Sequence, residues 1–316
     1  MVESNEIVIS TKGLTKVYDD VTALNSLDLE VPKNSIFGFL GPNGAGKTTT
    51  IKLLLGLIKP TRGSGTVFGK DIVKESMEIR SRVGYLSQDG RYYEYMTARQ
   101  ILNFTFKFYY SGLKSQIKKR IDEVLEIVDL KEKSKRPIKV LSAGERQRLG
   151  IGQAMINRPE LLILDEPAAS LDPLGREDIL KLMESLREHT TIFYSTHILD
   201  DVQRVSDRVA ILNHGKLVAQ GLLSELNKSG EIVYQIVLKG NTEKARTQLN
   251  DQHWISNIET SKQNGETEWL VSVTDEDVAE EKLLRLLLTS NNLRVLEFRR
   301  KEYRLEEIFM NIVRGR

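Results

Sequence analysis

The chain contains no cysteine, so it forms no disulfide and offers no thiolate to a metal. Its four histidines include no pair at zinc-ligand spacing, which leaves the common tetrahedral zinc sites without donors. Aromatic residues make up only 7%, against 28% charged and 40% hydrophobic residues, an ordinary globular balance that argues against a disordered chain. An excess of one charge is also missing. The 46 basic and 44 acidic side chains leave a net +2, so no global field gathers nucleic acid or an anionic surface, and any such partner must meet a local patch. No apolar run approaches the roughly 18 residues that cross a bilayer, and residues 1–5 lack the basic start and apolar core of a secretory signal. The expectation is a cytoplasmic chain, peripheral on the inner face of the cell membrane only if another protein holds it there. No nucleic acid partner and no direct lipid anchor are expected.

Against these absences stands one dense motif, Gly41-Pro42-Asn43-Gly44-Ala45-Gly46-Lys47-Thr48, which fits the phosphate-cradling pattern G-x-x-x-x-G-K-[ST] in full. The apolar run 36–40 reads as a buried strand entering the loop, and 49–58 as the helix leaving it. Glycines let the backbone aim several N–H groups at phosphate oxygens, and the helix adds its positive end. Lys47 is placed to reach the β- and γ-phosphates, Thr48 offers a hydroxyl to Mg²⁺, and Thr49 completes the phosphate-binding set. The implied ligands are ATP and Mg²⁺.

At 316 residues the chain can bury two cores. Residues 7–29 alternate as antiparallel strands around Asp19-Asp20, and apolar residues at helical spacing over 101–130 predict a mostly helical insert. The short strands 161–164 and 191–194, with a helix at 178–188 between them, predict a parallel sheet. A linker is expected at 227–230. Beyond it the pattern reads β-α-β-β-α-β, with strands at 231–239, 255–261, 268–273 and 293–298, helices at 243–249 and 278–288, and a turn at Asn264-Gly265. That order suits a ferredoxin-like sandwich. An amphipathic helix is predicted over 304–313. The expected fold class is α/β: a phosphate-loop domain over 1–226, with mixed sheet and a helical subdomain at about 90–157, plus a small α+β accessory domain over 227–316.

A phosphate loop alone leaves kinase, GTPase and transport ATPase open. The run Leu161-Leu162-Ile163-Leu164-Asp165-Glu166-Pro167 ends a buried strand in two adjacent acids, at the edge where such folds bind phosphates. Asp165 is expected to hold Mg²⁺ and Glu166 to act as general base on the attacking water. With these in place, Leu141-Ser142-Ala143-Gly144-Glu145 resembles the L-S-G-G-Q signature of ATP-binding cassette (ABC) transporter ATPases, and the resemblance spans roughly residues 7–225. It implies that Ser142 and Gly144 serve the nucleotide of a second copy, so each complete site needs a homodimer. It further implies that Gln88 meets both Mg²⁺ and the attacking water, that His197 contacts the γ-phosphate and orients the base, that Asp172 lies in the loop crossing to the partner, and that Tyr18 stacks on adenine. Lys47, Gln88, Glu166 and His197 are thus the catalytic candidates, and Thr48, Gln88 and Asp165 the metal ligands.

Two positions depart from the signature. Ala143 is strained only if its φ is positive, and Glu145 places a negative charge near a triphosphate unless Arg146 or Arg148 offsets it. The C-terminal Leu305-Glu306-Glu307-Ile308-Phe309 resembles the extension of ABC-2-type exporter ATPases. That likeness implies export of a drug, lipid or polysaccharide through a separate membrane permease, contacted near residues 90–97, where Tyr92, Tyr93, Tyr95 and Met96 lie in one loop. The alternative is a soluble ABC ATPase acting on ribosomes or DNA, but the chain has neither a second cassette nor a long coiled-coil insert. A GTPase is disfavoured because the guanine-reading N-K-x-D run is missing.

Overall fold

The computed structural model describes residues 6–110, 113–226, 232–263, 266–288, 293–301 and 309. Two compact units, Met1–Leu223 and Ser224–Arg316, each carry their own core.

In the first unit, the strands Ile36–Leu40, Leu161–Asp165 and Thr191–Thr196 are buried at every position. Parallel strands covered on both faces read this way, as unbroken apolar runs. They lie inside a six-stranded sheet ordered Lys216–Leu222, Arg208–Asn213, Ile36–Leu40, Thr191–Thr196, Leu161–Asp165, Val83–Leu86. All neighbours are parallel except the first pair. The carboxyl ends of the parallel strands therefore share one edge of the sheet, which is where ligands bind in open α/β folds.

A second sheet is antiparallel and centred on Ile7–Tyr18, which pairs with Val21–Leu27, Glu30–Pro32 and Arg62–Val67. Its Val8, Leu14 and Leu24 share one core with Phe37 and Phe39 of the parallel sheet and with Leu53 and Leu54 of the helix Lys47–Leu54. The helix after the phosphate loop is thus clamped between two sheets. It stops earlier than the predicted 58 because Gly56 takes φ 62°, a left-handed ending.

The stretch predicted as helical contains Ala98–Phe106 and Lys114–Ile127, followed by Ala143–Ala154. The helix predicted over 178–188 runs instead over Pro173–Leu186. Asp172 caps it by accepting from the Gly175 N–H at 3.1 Å, and Pro173 suits the first turn, where its missing N–H costs nothing.

In the second unit the strands Ile232–Gly240, Ile255–Gln263, Glu266–Val273 and Leu293–Lys301 form an antiparallel sheet, with the first and third side by side in the middle. The helices Glu243–Asn250 and Glu276–Leu288 bury Ala245, Leu249, Leu283 and Leu287 in one core with Trp254 and Trp269. This is the strand order of a ferredoxin-like sandwich. The expected linker 227–230, the turn at 264–265, and the helix 304–313 with its Leu305–Phe309 motif lie outside the described residues, Phe309 excepted.

Candidate functional site

The phosphate loop leaves the carboxyl end of Ile36–Leu40 and turns through Gly44 at φ 79° and Gly46 at φ 107°. A side chain at Gly46 would also sit 2.5 Å from the Ala23 carbonyl oxygen, so glycine is required there twice over. The loop is pinned from behind, since the Gly41 N–H donates to the Thr196 carbonyl at 3.1 Å. The cleft in front has a volume of about 310 Å³. Asn43, Gly44, Gly46, Lys47, Thr48 and Thr49 line it, joined by Gln88, Glu166 and Ala23.

Two consecutive acids meet two consecutive loop residues. Glu166 Oε1 lies 3.1 Å from Lys47 Nζ, both groups being buried, and the Thr48 hydroxyl lies near enough to Asp165 to favour its charged form. Adjacent residues of an extended strand point to opposite faces. Here both carboxylates reach the loop because Asp165 ends the strand and Glu166 takes φ 52°. A left-handed non-glycine residue costs on the order of 1–3 kcal/mol, and Ser195 holds it in place. The Ser195 hydroxyl accepts from the Glu166 N–H at 2.9 Å and donates to Asp165 Oδ1 at 2.5 Å. On its other side Glu166 Oε2 lies 2.9 Å from His197 Nδ1. Lys47 Nζ also donates to the carbonyls of Gly41 at 2.7 Å and Pro42 at 3.1 Å.

Burial pushes the Asp165 carboxyl above the ordinary carboxylate range; the hydroxyls of Ser195 and Thr48 pull it back, as does the Lys47 charge, while the Glu166 charge adds to the rise. Its second oxygen, Oδ2, is buried with no hydrogen-bond partner. With the Thr48 hydroxyl close by and Gln88 lining the same cleft as Thr48, the orphaned carboxylate oxygen belongs to an all-oxygen donor set, which suits a hard divalent cation. Among the described residues no group of three or more His, Asp or Glu side chains forms a self-sufficient metal site. A cation here would need the oxygens of a bound phosphate as well.

The remaining sequence-predicted residues lie outside the cleft lining. Ser142 caps the helix Ala143–Ala154 in a reciprocal box: its hydroxyl accepts from the Glu145 N–H at 3.2 Å, and Glu145 Oε2 accepts from the Ser142 N–H at 2.9 Å. Ala143 does not take positive φ, so its replacement of glycine brings no backbone strain. A Cβ on Gly144 would find nothing nearer than the Gly175 Cα at 3.7 Å, so the position is not crowded. Glu145 is offset chiefly by Lys133, rather than by Arg146 or Arg148 as the sequence suggested. Lys133 donates to its Oε1 and holds the carboxyl below its usual range, with the Ser142 N–H second and Arg148 a minor contributor. Arg148 is turned to Asp178 at 3.0 Å and to the Val128 carbonyl at 3.1 Å. Tyr18, 42% exposed at a strand end, carries Lys16 Nζ 4.8 Å from its ring centroid, so a cation covers one ring face. Sequence reasoning gave no role to Ser195 or Lys133. The parallel pairing of Asp165 with Ser195 was the available signal for the serine, and it needs the sheet order to be seen.

The family model for ABC transporters matches residues 24–169. The bacitracin transport ATP-binding protein BcrA of Bacillus licheniformis is 36% identical over 310 residues, covering 98% of both chains. The chain belongs to the ABC transporter family. It is an ATP-binding subunit and an ABC ATPase. The linearmycin resistance ATP-binding protein LnrL of Bacillus subtilis is 31% identical, over 96% of this chain and 98% of its own. Among solved structures, the dimeric structure of MJ0796, a bacterial ABC transporter cassette, has a TM-score of 0.62 at 26% identity, covering 68% of this chain and 98% of that one. CbiO1 from Clostridium perfringens, part of the cbiONQ transporter complex, has a TM-score of 0.66 at 26% identity, covering 78% and 96%. Among the described residues no helix is long and apolar enough to cross a membrane.

Proposed function

We propose that the chain energises export of a drug, lipid or polysaccharide through a separate membrane permease, hydrolysing ATP at sites formed between two copies of itself. The names of the relatives, bacitracin transport and linearmycin resistance, favour a drug among these cargoes. The observation that carries the hydrolytic reading is the pairing of Asp165 with Thr48 and of Glu166 with Lys47, with His197 behind the glutamate. In this reading Lys47 exchanges the Gly41 and Pro42 carbonyls for the β- and γ-phosphates. Glu166 accepts a proton from the attacking water, and His197 keeps its carboxylate aimed. Thr48, Asp165 and Gln88 would hold Mg²⁺, which when bound neutralises phosphate charge. Tyr18 would stack on adenine, while Ser142 and Gly144, with Asp172 crossing beside them, would close on the partner's nucleotide. Residues 1–226 act as the nucleotide-binding domain, residues 90–157 as its helical subdomain, and 227–316 as an accessory domain. The loop 90–97 meets the permease, placing the chain at the inner face of the cell membrane.

Replacing Glu166 with Gln should leave ATP binding within a few-fold of wild type and lower turnover by at least about 10²-fold; substantial residual hydrolysis by the purified variant would sink the base assignment. The two-chain site has its own test, because neither Lys47→Ala nor Ser142→Ala can build a good site alone. Mixed together they form heterodimers with one site intact, so roughly a quarter of wild-type activity should return. Failure of mixing to restore any activity would place each site within one chain.

A further inference from the structure

We infer that the end of the helix Ala98–Phe106, together with the start of Lys114–Ile127, forms a reversible contact surface for an anionic lipid bilayer. Phe104, Phe108, Tyr109, Tyr110 and Leu113 are all exposed there, Phe108 at 72% and Leu113 at 69%. Phe104 and Phe108 meet edge to face at 5.0 Å, so they present one apolar ridge rather than scattered side chains. The charge around them is one-sided: residues 95–121 carry six basic and no acidic side chains in a chain whose net charge is only +2.

The arginines of that stretch are spoken for. Arg99 pairs with Asp122 at 2.6 Å, and Arg120 caps the Ile156 carbonyl at 3.2 Å and reaches Glu123 at 3.3 Å. Glu123 is further engaged by Arg158 at 3.1 Å. Lys107, Lys114, Lys118 and Lys119 remain exposed, and the acids that follow them in the chain, Asp122 and Glu123, are already neutralised by arginine.

Exposed aromatics flanked by lysine favour a membrane over a protein partner. The cores of protein interfaces are depleted in lysine, whereas lysine stems lie along apolar surface with their ammonium groups among headgroups, and aromatic rings settle at the same depth. The location agrees. A cleft of about 400 Å³ is lined at once by Gly90, Arg91 and Tyr92, from the proposed permease loop, and by Thr105 and Tyr109, from the aromatic end of the helix. A permease seated on that loop brings its bilayer toward the ridge, and to this extent the inference rests on the exporter reading. It also narrows the expectation of no direct lipid anchor, since the contact is peripheral and inserts no segment.

The test uses the full chain without permease, floated with vesicles of phosphatidylcholine alone or containing about one-third phosphatidylglycerol. Binding should require the anionic lipid and weaken as salt rises. Near an anionic surface each lysine contributes about fivefold, so replacing the four lysines with glutamine should lower binding by at least about 10²-fold without changing basal ATPase activity. Phe108→Trp supplies a second readout at an exposed position, where folding is not at stake. Its emission should shift to the blue with anionic vesicles and stay unchanged with neutral ones, against Trp254 and Trp269, which are buried in the other unit. Equal flotation with both vesicle types, or undiminished binding by the four-lysine variant, would overturn the inference. So would loss of permease co-purification by that variant while vesicle binding persists, which would make the ridge a protein-docking face. Vesicle binding by wild type with no permease recovered would keep the lipid contact and remove the exporter reading.

Discussion

Ser195 is the residue on which the arrangement of Asp165 and Glu166 turns, although it does not line the phosphate-loop cleft. One hydroxyl fixes the Asp165 carboxylate and the Glu166 backbone together, and so holds a left-handed glutamate where an extended one would point away from Lys47. Glu145 is an acid in the first turn of a helix, and its charge is held by its neighbours. Lys133 and the capping box hold its carboxyl below the ordinary value near 4.5. A depressed folded value means that the carboxylate stabilises the fold at pH above its unfolded value, and that this contribution is lost as pH falls through the folded one. Glu145→Gln keeps an acceptor for the Ser142 N–H but cannot titrate. At neutral pH the variant should therefore differ from wild type by less than about 1 kcal/mol, since Lys133 is partly exposed. As pH falls below the ordinary value and through the lowered folded one, wild type should lose stability relative to the variant, and urea melts at neutral pH and across that acidic window measure this directly. Parallel loss by both proteins would remove the role given to the carboxylate. The motif residues 41–48 and 165–166 were legible in the sequence because their chemistry demands particular types at particular spacings, while His197 was legible only through the family resemblance. Ser195 and Lys133 were not, because each acts through a neighbour that only the folded sheet or helix brings to it.

Glycine lets the strand Val83–Leu86 and the helix Ala143–Ala154 approach closely enough for that helix to present Ser142 and Gly144. A Cβ on Gly84 would overlap the Ala154 carbonyl, with its carbon only 2.8 Å away, and a Cβ on Gly150 would lie 2.6 Å from Leu86 Cδ1 and 2.7 Å from the Tyr92 hydroxyl. Gly84→Ala must push the helix off the sheet, at an expected cost of about 1–3 kcal/mol in denaturant unfolding, with ATPase falling alongside. Gly144→Ala is the contrasting case, because its Cβ meets only an ordinary van der Waals contact, 3.7 Å from the Gly175 Cα. Its stability should match wild type while ATPase falls, if the N–H there must be approached by the partner's nucleotide. A Gly84→Ala protein as stable as wild type would refute the close-packing argument. Most elements were readable from their period, since unbroken apolar runs made the parallel strands and 3.6-residue spacing made the helices. Their ends were less so. The helix Pro173–Leu186 begins five residues before its predicted start because Asp172 and Pro173 set it, and the apolar spacing used to find the helix does not register a cap.

Both tryptophans, Trp254 and Trp269, lie in the core of the second unit, whereas every residue lining the phosphate-loop cleft lies in the first. Tryptophan emission therefore follows unfolding of Ser224–Arg316 alone, while far-ultraviolet circular dichroism follows the whole chain. A ligand stabilises only the unit that binds it, by about 2.7 kcal/mol at a hundredfold excess over its dissociation constant. For a unit of some 220 residues that raises the melting temperature by roughly 5–10 °C. With Mg·ATP and the Glu166→Gln variant, in which the nucleotide persists, the dichroism transition should move upward by that amount while the tryptophan transition stays in place. Two separate cores are the ground for expecting this separation. A tryptophan transition that climbs in step with the dichroism would mean that the accessory unit unfolds only when the nucleotide-binding unit does, and the chain would then be one cooperative body.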